Sequence, residues 1–291
     1  MEQLTLRTED GHKLVARCYR PADVAVAVRR VVIIGPALGV PQTFYERYAS
    51  WLADHGCAVY TLDWRGMGLS APPDLRTYRA KLIDWPLQDA PAIMKHAVSQ
   101  HPGLPVSWFG HSMGGILYGL MPQLPEVDHV VTLGSGSGHV SMLARPLRYG
   151  ILLFWHVVVP LSVARHGYFA GKRLHMVADL PRGIVSQWKR WSACPDFACA
   201  EGPHVREAYA RVTHPITAVL FADDKMAHRR GVEAIHRLYT AARVRYLHLH
   251  PKDVGVASVG HFNFFHTRTG PKAWAHSLSW LGVSPQPIAE G

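Results

Sequence analysis

The chain has 291 residues, of which 48% are apolar and 18% are charged, so it can bury a large core as one domain or as a domain with an insertion. Its formal net charge of +10 comes from scattered basic residues and not from one long basic run. This favours a charged, soluble surface over nucleic-acid binding. The first residues, MEQLTLRTEDGH, predict no signal peptide, and the four cysteines lack zinc-site spacing. We therefore expect free thiols, no metal, and a cytoplasmic protein.

The first part of the chain predicts a hairpin, a buried strand and a helix. Apolar and polar residues alternate on both sides of the Asp-Gly pair at 10–11, which is typical of a β-hairpin. The run VVIIG at 31–35 is continuously apolar, as expected for a strand covered on both faces. Thr43 and Glu46 fit a capping box, which predicts a helix over 43–55.

Strands and helices then alternate along the chain. We predict strands at 57–63, 106–110, 129–135, 216–222 and 244–250, and helices at 82–100, from Ser112 onward, 229–242 and 271–281. This order predicts a mostly parallel, doubly wound sheet in the α/β class. Between His139 and Arg211 the apolar spacing is helical. The sequence therefore predicts a core formed by 1–138 and 212–291, and a helical cap inserted at 139–211.

The stretch GHSMGG at 110–115 follows an apolar strand and fits the pattern G-x-S-x-G, with Ser112 at its centre. In a nucleophile elbow, such a serine sits on a strained turn between a strand and a helix, and its hydroxyl projects above the sheet. An ordinary Gly/Ser turn has the same local pattern. The placement at the carboxyl end of a strand favours the elbow, because reactive groups gather at that edge of a parallel sheet.

A nucleophilic serine needs a base and an orienting acid, which in a doubly wound hydrolase follow it in the order acid, then His. Asp223 and Asp224 come at the end of a predicted strand, and His261 lies 261 − 224 = 37 residues after Asp224. That separation accommodates a helix, a strand and a return loop. The strand-end alignment favours Asp224 as the acid, with Asp223 as the alternative.

An acyl-transfer site also needs backbone amides that bind the oxyanion. The amide of Met113, directly after the serine, is one predicted donor. The loop GPALGV at 35–40 supplies the other. Because Pro36 has no amide hydrogen, Ala37 is the first candidate in that loop and Leu38 the second.

With DWRGMGLS at 63–70 and VGHFNFF at 259–265, these motifs resemble the α/β-hydrolase superfamily from about Val31 to the C-terminus. In finer detail, the chain resembles a poorly characterised bacterial branch of serine hydrolases. The resemblance implies the α/β-hydrolase fold and triad roles for Ser112, Asp224 and His261. Most relatives have His-Gly after the first buried strand, where this chain has Gly35-Pro36.

The expected function is hydrolysis of a carboxylic ester through an acyl-enzyme, on a small-molecule acyl substrate, with no cofactor, no nucleic acid and no stable membrane insertion. An acyltransferase, a thioesterase or a peptidase would use the same triad, and a binding module on a hydrolase scaffold is the alternative of another class. Leu152, Trp155 and Val159, at i, i+3 and i+7, predict one apolar face of the substrate pocket. Together with Trp155, three more residues of the cap either line the pocket or form ordinary contacts between cap helices: His156, Trp188 and Trp191.

Overall fold

Strands and helices alternate through most of the chain, of which the structure, a computed structural model, describes residues 1–143 and 145–283. The predicted core residues 284–291 lie outside the described part. The strands are β1 (Glu2–Arg7), β2 (Lys13–Tyr19), β3 (Arg30–Gly35), β4 (Cys57–Leu62), β5 (Val106–His111), β6 (Val127–Leu133), β7 (Tyr168–Phe169), β8 (Leu180–Pro181), β9 (Ile216–Phe221) and β10 (Val244–Leu249). The α-helices are α1 (Glu46–Asp54), α2 (Ala90–Gln100), α3 (Met113–Ile116), α4 (Arg145–Leu153), α5 (Val159–His166), α6 (Arg182–Ser192), α7 (Pro203–Arg211), α8 (Arg229–His236) and α9 (Gly270–Trp280).

Eight of the strands form one mixed sheet in the order β1-β2-β4-β3-β5-β6-β9-β10. β1 pairs antiparallel with β2, and β2 pairs antiparallel with β4. The remaining pairs in this sheet are parallel. This confirms the predicted mostly parallel sheet with an N-terminal hairpin. It also brings the carboxyl ends of β3, β5, β6 and β9 to one edge.

The core lies on both faces of the sheet, as β3 illustrates. All six residues of β3 are buried. Val31 and Ile33 belong to the apolar cluster on one face, whereas Val32 and Ile34 belong to the cluster on the other face. Successive side chains of a strand point to opposite faces, so a strand covered by helices on both sides is apolar throughout.

Helix α1 begins later than its sequence predicts. A 3₁₀ turn occupies Gln42–Tyr45, so Thr43 lies inside it and caps no helix. The Glu46 carboxylate accepts a hydrogen bond from Arg17 at 3.1 Å instead of reaching back to the backbone. The predicted capping box was therefore wrong, because a neighbouring strand supplies a charged partner for the glutamate.

The segment between β6 and β9 contains four α-helices among the described residues, α4 to α7. A π-helical turn, Phe154–Val158, joins α4 directly to α5, and we call the continuous unit the 145–166 helix. The short strands β7 and β8, which the sequence did not predict, pair antiparallel after this helix. Phe154 and Trp155 turn inward and are buried, and so join this segment to the main apolar core.

Candidate active site

Ser112 occupies the turn between β5 and α3, with backbone angles φ 51° and ψ −113°. Positive φ is rare for a residue with a side chain and marks a strained turn. The turn is held on both sides, because the Ser112 amide donates to the Leu133 carbonyl at 2.8 Å and the Ser112 carbonyl accepts from the Gly115 amide at 3.1 Å. This is the conformation expected of a nucleophile elbow.

Two glycines make room around this turn. A side chain at Gly114 would collide with the carbonyl oxygen of Gly35 in the neighbouring strand. Gly134, at the end of β6, has φ 61°, and a Cβ there would come within 3.1 Å of both Asp224 Oδ2 and the His261 ring. The absence of both side chains therefore allows the serine turn and the Asp224–His261 pair to lie against the sheet edge.

Asp224 and His261 form a buried pair after β9 and β10. His261 Nδ1 lies 2.7 Å from Asp224 Oδ2. The other carboxylate oxygen, Oδ1, accepts hydrogen bonds from the amides of Met226 at 2.8 Å and Ala227 at 2.9 Å. The carboxylate is thus fixed by its own loop and can hold the imidazole in one orientation.

Asp223 binds a different part of the histidine loop. Its carboxylate accepts hydrogen bonds from the Ser258 hydroxyl at 2.8 Å and from the amides of Val259 at 2.9 Å and Gly260 at 3.0 Å. Burial alone would raise the pKa of Asp223, but these donors outweigh it and lower the pKa. The two adjacent aspartates therefore have distinct partners: Asp224 contacts the imidazole and Asp223 anchors the backbone that precedes it.

His111, directly before Ser112, connects the two loops beside the serine. Its Nε2 lies 2.9 Å from the His261 carbonyl and must donate to it, which leaves Nδ1 to accept from the Tyr45 hydroxyl at 2.9 Å. The Tyr45 oxygen in turn accepts from the Ala37 amide at 2.9 Å. Burial, followed by the nearby His261, lowers the pKa of His111 well below its usual range, so this buried chain carries no charge.

This chain of hydrogen bonds bears on the predicted oxyanion donors. The Ala37 amide already donates to Tyr45 and so points away from a substrate. Within the described residues, neither the Leu38 amide nor the Met113 amide has an acceptor. Both residues border the same cavity as Ser112. The geometry thus favours Leu38 over Ala37 as the partner of Met113, reversing the predicted order within the loop.

Ser112 and His261 open into one cavity of about 160 Å³. One end is polar, with the serine, the histidine and the two free amides. The opposite wall is apolar and comes largely from the segment between β6 and β9: Leu143, Leu147, Ile151, Trp155, Val177, Trp188 and Phe197. No Asp, Glu, Lys or Arg is among the described residues that line it.

The predicted pocket stripe needs a correction in helical phase. Trp155 lines the cavity, but Leu152 does not and is 42% exposed on the outside of the helix. Val159 is buried in the core and does not line the cavity either. The lining residues of the 145–166 helix are Leu147, Ile151 and Trp155, at i, i+4 and i+8. Leu152 precedes the π turn Phe154–Val158 and is one residue out of phase with the lining face, whereas Val159 follows the turn, which changes the number of residues per turn.

Of the other three pocket candidates in this segment, one lines the cavity and two do not. Trp188 lines the cavity and contacts Trp155 edge to face, with ring centroids 4.7 Å apart. Trp191 is fully buried and does not line the cavity, and His156 is exposed. The sequence analysis did not identify Tyr45, which bonds both Ala37 and His111. Its only signal in the sequence is its position shortly after the loop GPALGV. Among the described residues, no group of three or more His, Cys, Asp or Glu is arranged to hold a metal ion.

Comparisons with known proteins find one matching family model and several similar solved structures. Residues 27–149, which include Ser112 but not Asp224 or His261, match the family model described as serine aminopeptidase, S33. No curated protein sequence matches the chain.

Solved structures resemble the whole chain. A soluble variant of monoglyceride lipase from Saccharomyces cerevisiae, in complex with a substrate analogue, superimposes with a TM-score of 0.66 at 16% identity, over 97% of this chain and 95% of that one. An esterase from Pyrococcus furiosus gives a TM-score of 0.63 at 15% identity, over 98% and 91%. A hydrolase from Pseudomonas aeruginosa gives 0.55 at 17% identity, over 97% and 98%. At these identities the likeness establishes a common fold.

Proposed function

We propose that this member of the α/β-hydrolase superfamily is a serine hydrolase that cleaves carboxylic esters through an acyl-enzyme intermediate. One observation carries the proposal. Ser112, on a turn with φ 51°, shares a cavity with His261, and Nδ1 of that histidine lies 2.7 Å from Asp224 Oδ2. Nucleophile, base and orienting acid come from three loops at one edge of the sheet, in the order that the fold requires.

The hydrogen bonds support one path for the protons. Because Asp224 occupies Nδ1, the His261 Nε2 is the nitrogen left to accept the Ser112 proton. The serine oxygen attacks the acyl carbon, and His261 then delivers the proton to the departing alcohol. In the second half, the same nitrogen takes a proton from a water molecule, whose oxygen attacks the acyl carbon. The bond to Ser112 Oγ then breaks, and His261 returns the proton to Ser112 as the free acid leaves. Asp224 stabilises the imidazolium in each half.

The oxyanion in each half would be bound by the amides of Met113 and Leu38. Both amides are without an acceptor among the described residues, and both border the cavity. Their positions are fixed before substrate binds, Met113 by the serine turn and Leu38 by its neighbour Ala37, which is tied to Tyr45. Fixed donors stabilise developing charge without reorganising, which is a large part of acyl-transfer catalysis.

The apolar wall supports an uncharged acyl group as substrate. Residues 139–211 would act as a helical cap, because Ile151, Trp155 and Trp188 from this segment face the polar end across the cavity. An aminopeptidase has to bind a substrate ammonium group, for which a carboxylate is the usual partner. The absence of one among the described lining residues favours an acyl ester over a peptide with a free amino terminus. No cofactor takes part in this chemistry.

A substrate panel tests the proposal. Butyrate and octanoate esters of one alcohol, the matching amide and thioester, and an amino-acid amide with a free amine would be compared for wild type and Ser112→Ala, with both hydrolysis and transfer products measured. We expect the highest kcat/KM on the esters, with the free acid as product, and no turnover by the variant.

Other outcomes would redirect the assignment. Faster cleavage of the free-amine amide than of the esters would contradict an esterase and favour a peptidase. Predominant transfer to an added alcohol would favour an acyltransferase. Unchanged ester turnover by Ser112→Ala would overturn the nucleophile itself.

A further inference from the structure

The outer face of the 145–166 helix is apolar and uncovered. Tyr149, Leu153, Val157 and Leu161, at intervals of four residues, are 69%, 58%, 43% and 66% exposed. Residues four apart lie on one face of a helix, so these side chains form a single stripe, which we call the outer stripe. Monomeric soluble proteins rarely expose a continuous apolar surface without a partner. We therefore expect the outer stripe to be covered by a binding partner.

The same helix is also long and apolar. Among the described residues, Leu147–His166 is the one helix long and apolar enough to cross a membrane, judged by length and composition alone. Its inner face already contacts the rest of the protein, because Ile151 and Trp155 line the cavity and Val159 is buried in the core. Only the outer face is free to meet a partner.

The charged residues of this stretch of sequence are all cationic up to Asp179, whose carboxylate accepts a hydrogen bond from the Lys172 amide at 3.1 Å. From His129 to Ala178 the sequence contains no Asp and no Glu, although the whole chain has 21 of them. The same fifty positions contain five Arg or Lys residues, Arg145, Arg148, Arg165, Lys172 and Arg173. Arg165, Lys172 and Arg173 are exposed, the latter two in a loop that also exposes Leu174 and Met176. Apolar and cationic side chains thus occur together, with no carboxylate from this stretch to neutralise them.

We propose that this surface docks on an anionic membrane, with the 145–166 helix lying flat in the interface. An apolar face flanked by arginine and lysine is the pattern of helices that bind in the plane of a bilayer, where the apolar side chains enter the acyl boundary and the cations meet the lipid phosphates. Tyr149 at one end suits the same boundary, because its ring is apolar and its hydroxyl polar. Docking of this kind is not membrane insertion, and it does not depend on the proposed ester hydrolysis.

A flat orientation follows from the inner-face contacts. Crossing the bilayer would pull Trp155 away from Trp188 and Lys189 away from the Trp155 carbonyl, to which its Nζ donates at 2.8 Å. It would also dismantle one wall of the cavity. Lying in the interface uses the outer stripe alone and leaves these contacts in place.

Sedimentation with vesicles tests the proposal. Wild type and Ser112→Ala would be mixed with vesicles of phosphatidylcholine alone, or with phosphatidylglycerol added, at low and high salt. We expect both proteins to bind the anionic vesicles, more weakly at high salt, and to bind the neutral ones far less. Equal binding by Ser112→Ala separates docking from the proposed chemistry.

Two variants and a control locate the surface. Leu153→Glu/Leu161→Glu should reduce binding by at least about 100-fold, since two apolar anchors become anionic. Arg165→Gln/Lys172→Gln/Arg173→Gln should reduce it by about 100-fold, at about fivefold for each cation near the surface. Leu87→Glu, a change at another exposed helical leucine, should bind as wild type.

Four results would overturn the proposal. One is a wild-type protein that ignores anionic vesicles. Another is a Leu153→Glu/Leu161→Glu protein that is folded by circular dichroism and binds like wild type. The third is a wild-type dimer in ultracentrifugation that this variant converts to a monomer without any vesicle binding, because the stripe would then be a contact between two copies of the chain. Resistance of bound protein to alkaline extraction would contradict the flat orientation.

Discussion

The sheet region and the helical segment between β6 and β9 differ in the charged side chains that they bury and in the apolar side chains that they expose. Every buried Asp, Arg or His side chain among the described residues comes from the sheet region: Arg30, Asp63, Arg65, Asp89, His111, Asp224, His236 and His261. Within 139–211, the buried polar side chains of the described residues, apart from aromatic ones, are Ser162, Gln187 and Ser192. The helical segment instead holds seven of the thirteen exposed large apolar residues: Tyr149, Leu152, Leu153, Val157, Leu161, Leu174 and Met176.

This difference separates the two tasks of the proposed enzyme. Charges can be buried only where hydrogen-bond partners are fixed, and strand ends with tight turns provide such partners. An apolar wall needs only shape and area, which a few helices provide. Changes in the sheet region should therefore alter the chemical step, and changes in the helical segment should alter binding.

The largest effect is expected from the acid. Asp224→Asn should lower kcat by about 10⁴-fold, because an amide favours the wrong tautomer of His261. Asp223→Asn is the matched control and should lower kcat by less than about tenfold, with a lower melting temperature, since it weakens the bonds to the amides of Val259 and Gly260. Steady-state kinetics on one ester would decide between them. A larger loss for Asp223→Asn would exchange the roles of the two aspartates.

A smaller effect on the same step is expected from Tyr45. Tyr45→Phe removes the hydroxyl that joins Ala37 to His111, and should lower kcat by about 10–100-fold with little change in KM, because the oxyanion loop loses its anchor. Tyr48→Phe removes another buried hydroxyl, bonded to Ser277 at 2.7 Å, and should lower the melting temperature similarly while sparing kcat. Equal kcat values for the two variants would show that Tyr45 only stabilises the fold.

On the other side of the cavity, Trp155→Ala should raise KM for an octanoate ester by about tenfold and change kcat by less than about threefold, as expected when uniform binding is lost. A butyrate ester should be affected less. Leu152→Ala, on the outer face of the same helix, should leave both constants unchanged. Equal losses on both esters, together with a lowered melting temperature, would mean that Trp155 holds helices together and does not bind substrate.

The smallest effect concerns stability against acid. Burial lowers the pKa of His236 from 6.5 to about 4, and its ring contacts the Thr132 hydroxyl at 2.8 Å and the Val232 carbonyl at 2.7 Å. Between these two values the unfolded chain binds a proton that the folded chain does not. The free energy of unfolding should therefore fall as pH drops, by roughly 1.4 kcal/mol per pH unit from this residue.

Denaturant unfolding at several pH values checks that slope. His236→Gln should flatten it, although not completely, because His111 also remains neutral when folded. His248→Gln, at an exposed position of β10, should leave it unchanged. A wild-type free energy of unfolding that does not vary over this pH range would contradict the assignment.

The sequence located the residues at the polar end of the cavity more closely than those of its apolar wall, for a physical reason. Ser112, Asp224 and His261 each follow a strand, and the order of parallel strands determines which loops meet. Tyr45 and His111 are 66 positions apart, so no local pattern announces their hydrogen bond. The position of Val159 on the helix depends on the π turn before it. The capping box at Thr43 does not form, and the Glu46 carboxylate accepts a hydrogen bond from Arg17 instead. The first error depends on the local geometry of the helix and the second on a contact with a distant strand, and regular spacing in the sequence predicts neither.

Labelling with a fluorophosphonate, followed by intact mass and peptide mapping, tests the central claim most directly. Wild type should gain one adduct on Ser112, and Ser112→Ala should gain none while keeping its melting temperature. Ser192→Ala, a change at another serine that lines the cavity, should label like wild type. An adduct that persists in Ser112→Ala, or that maps to another serine, would contradict the account.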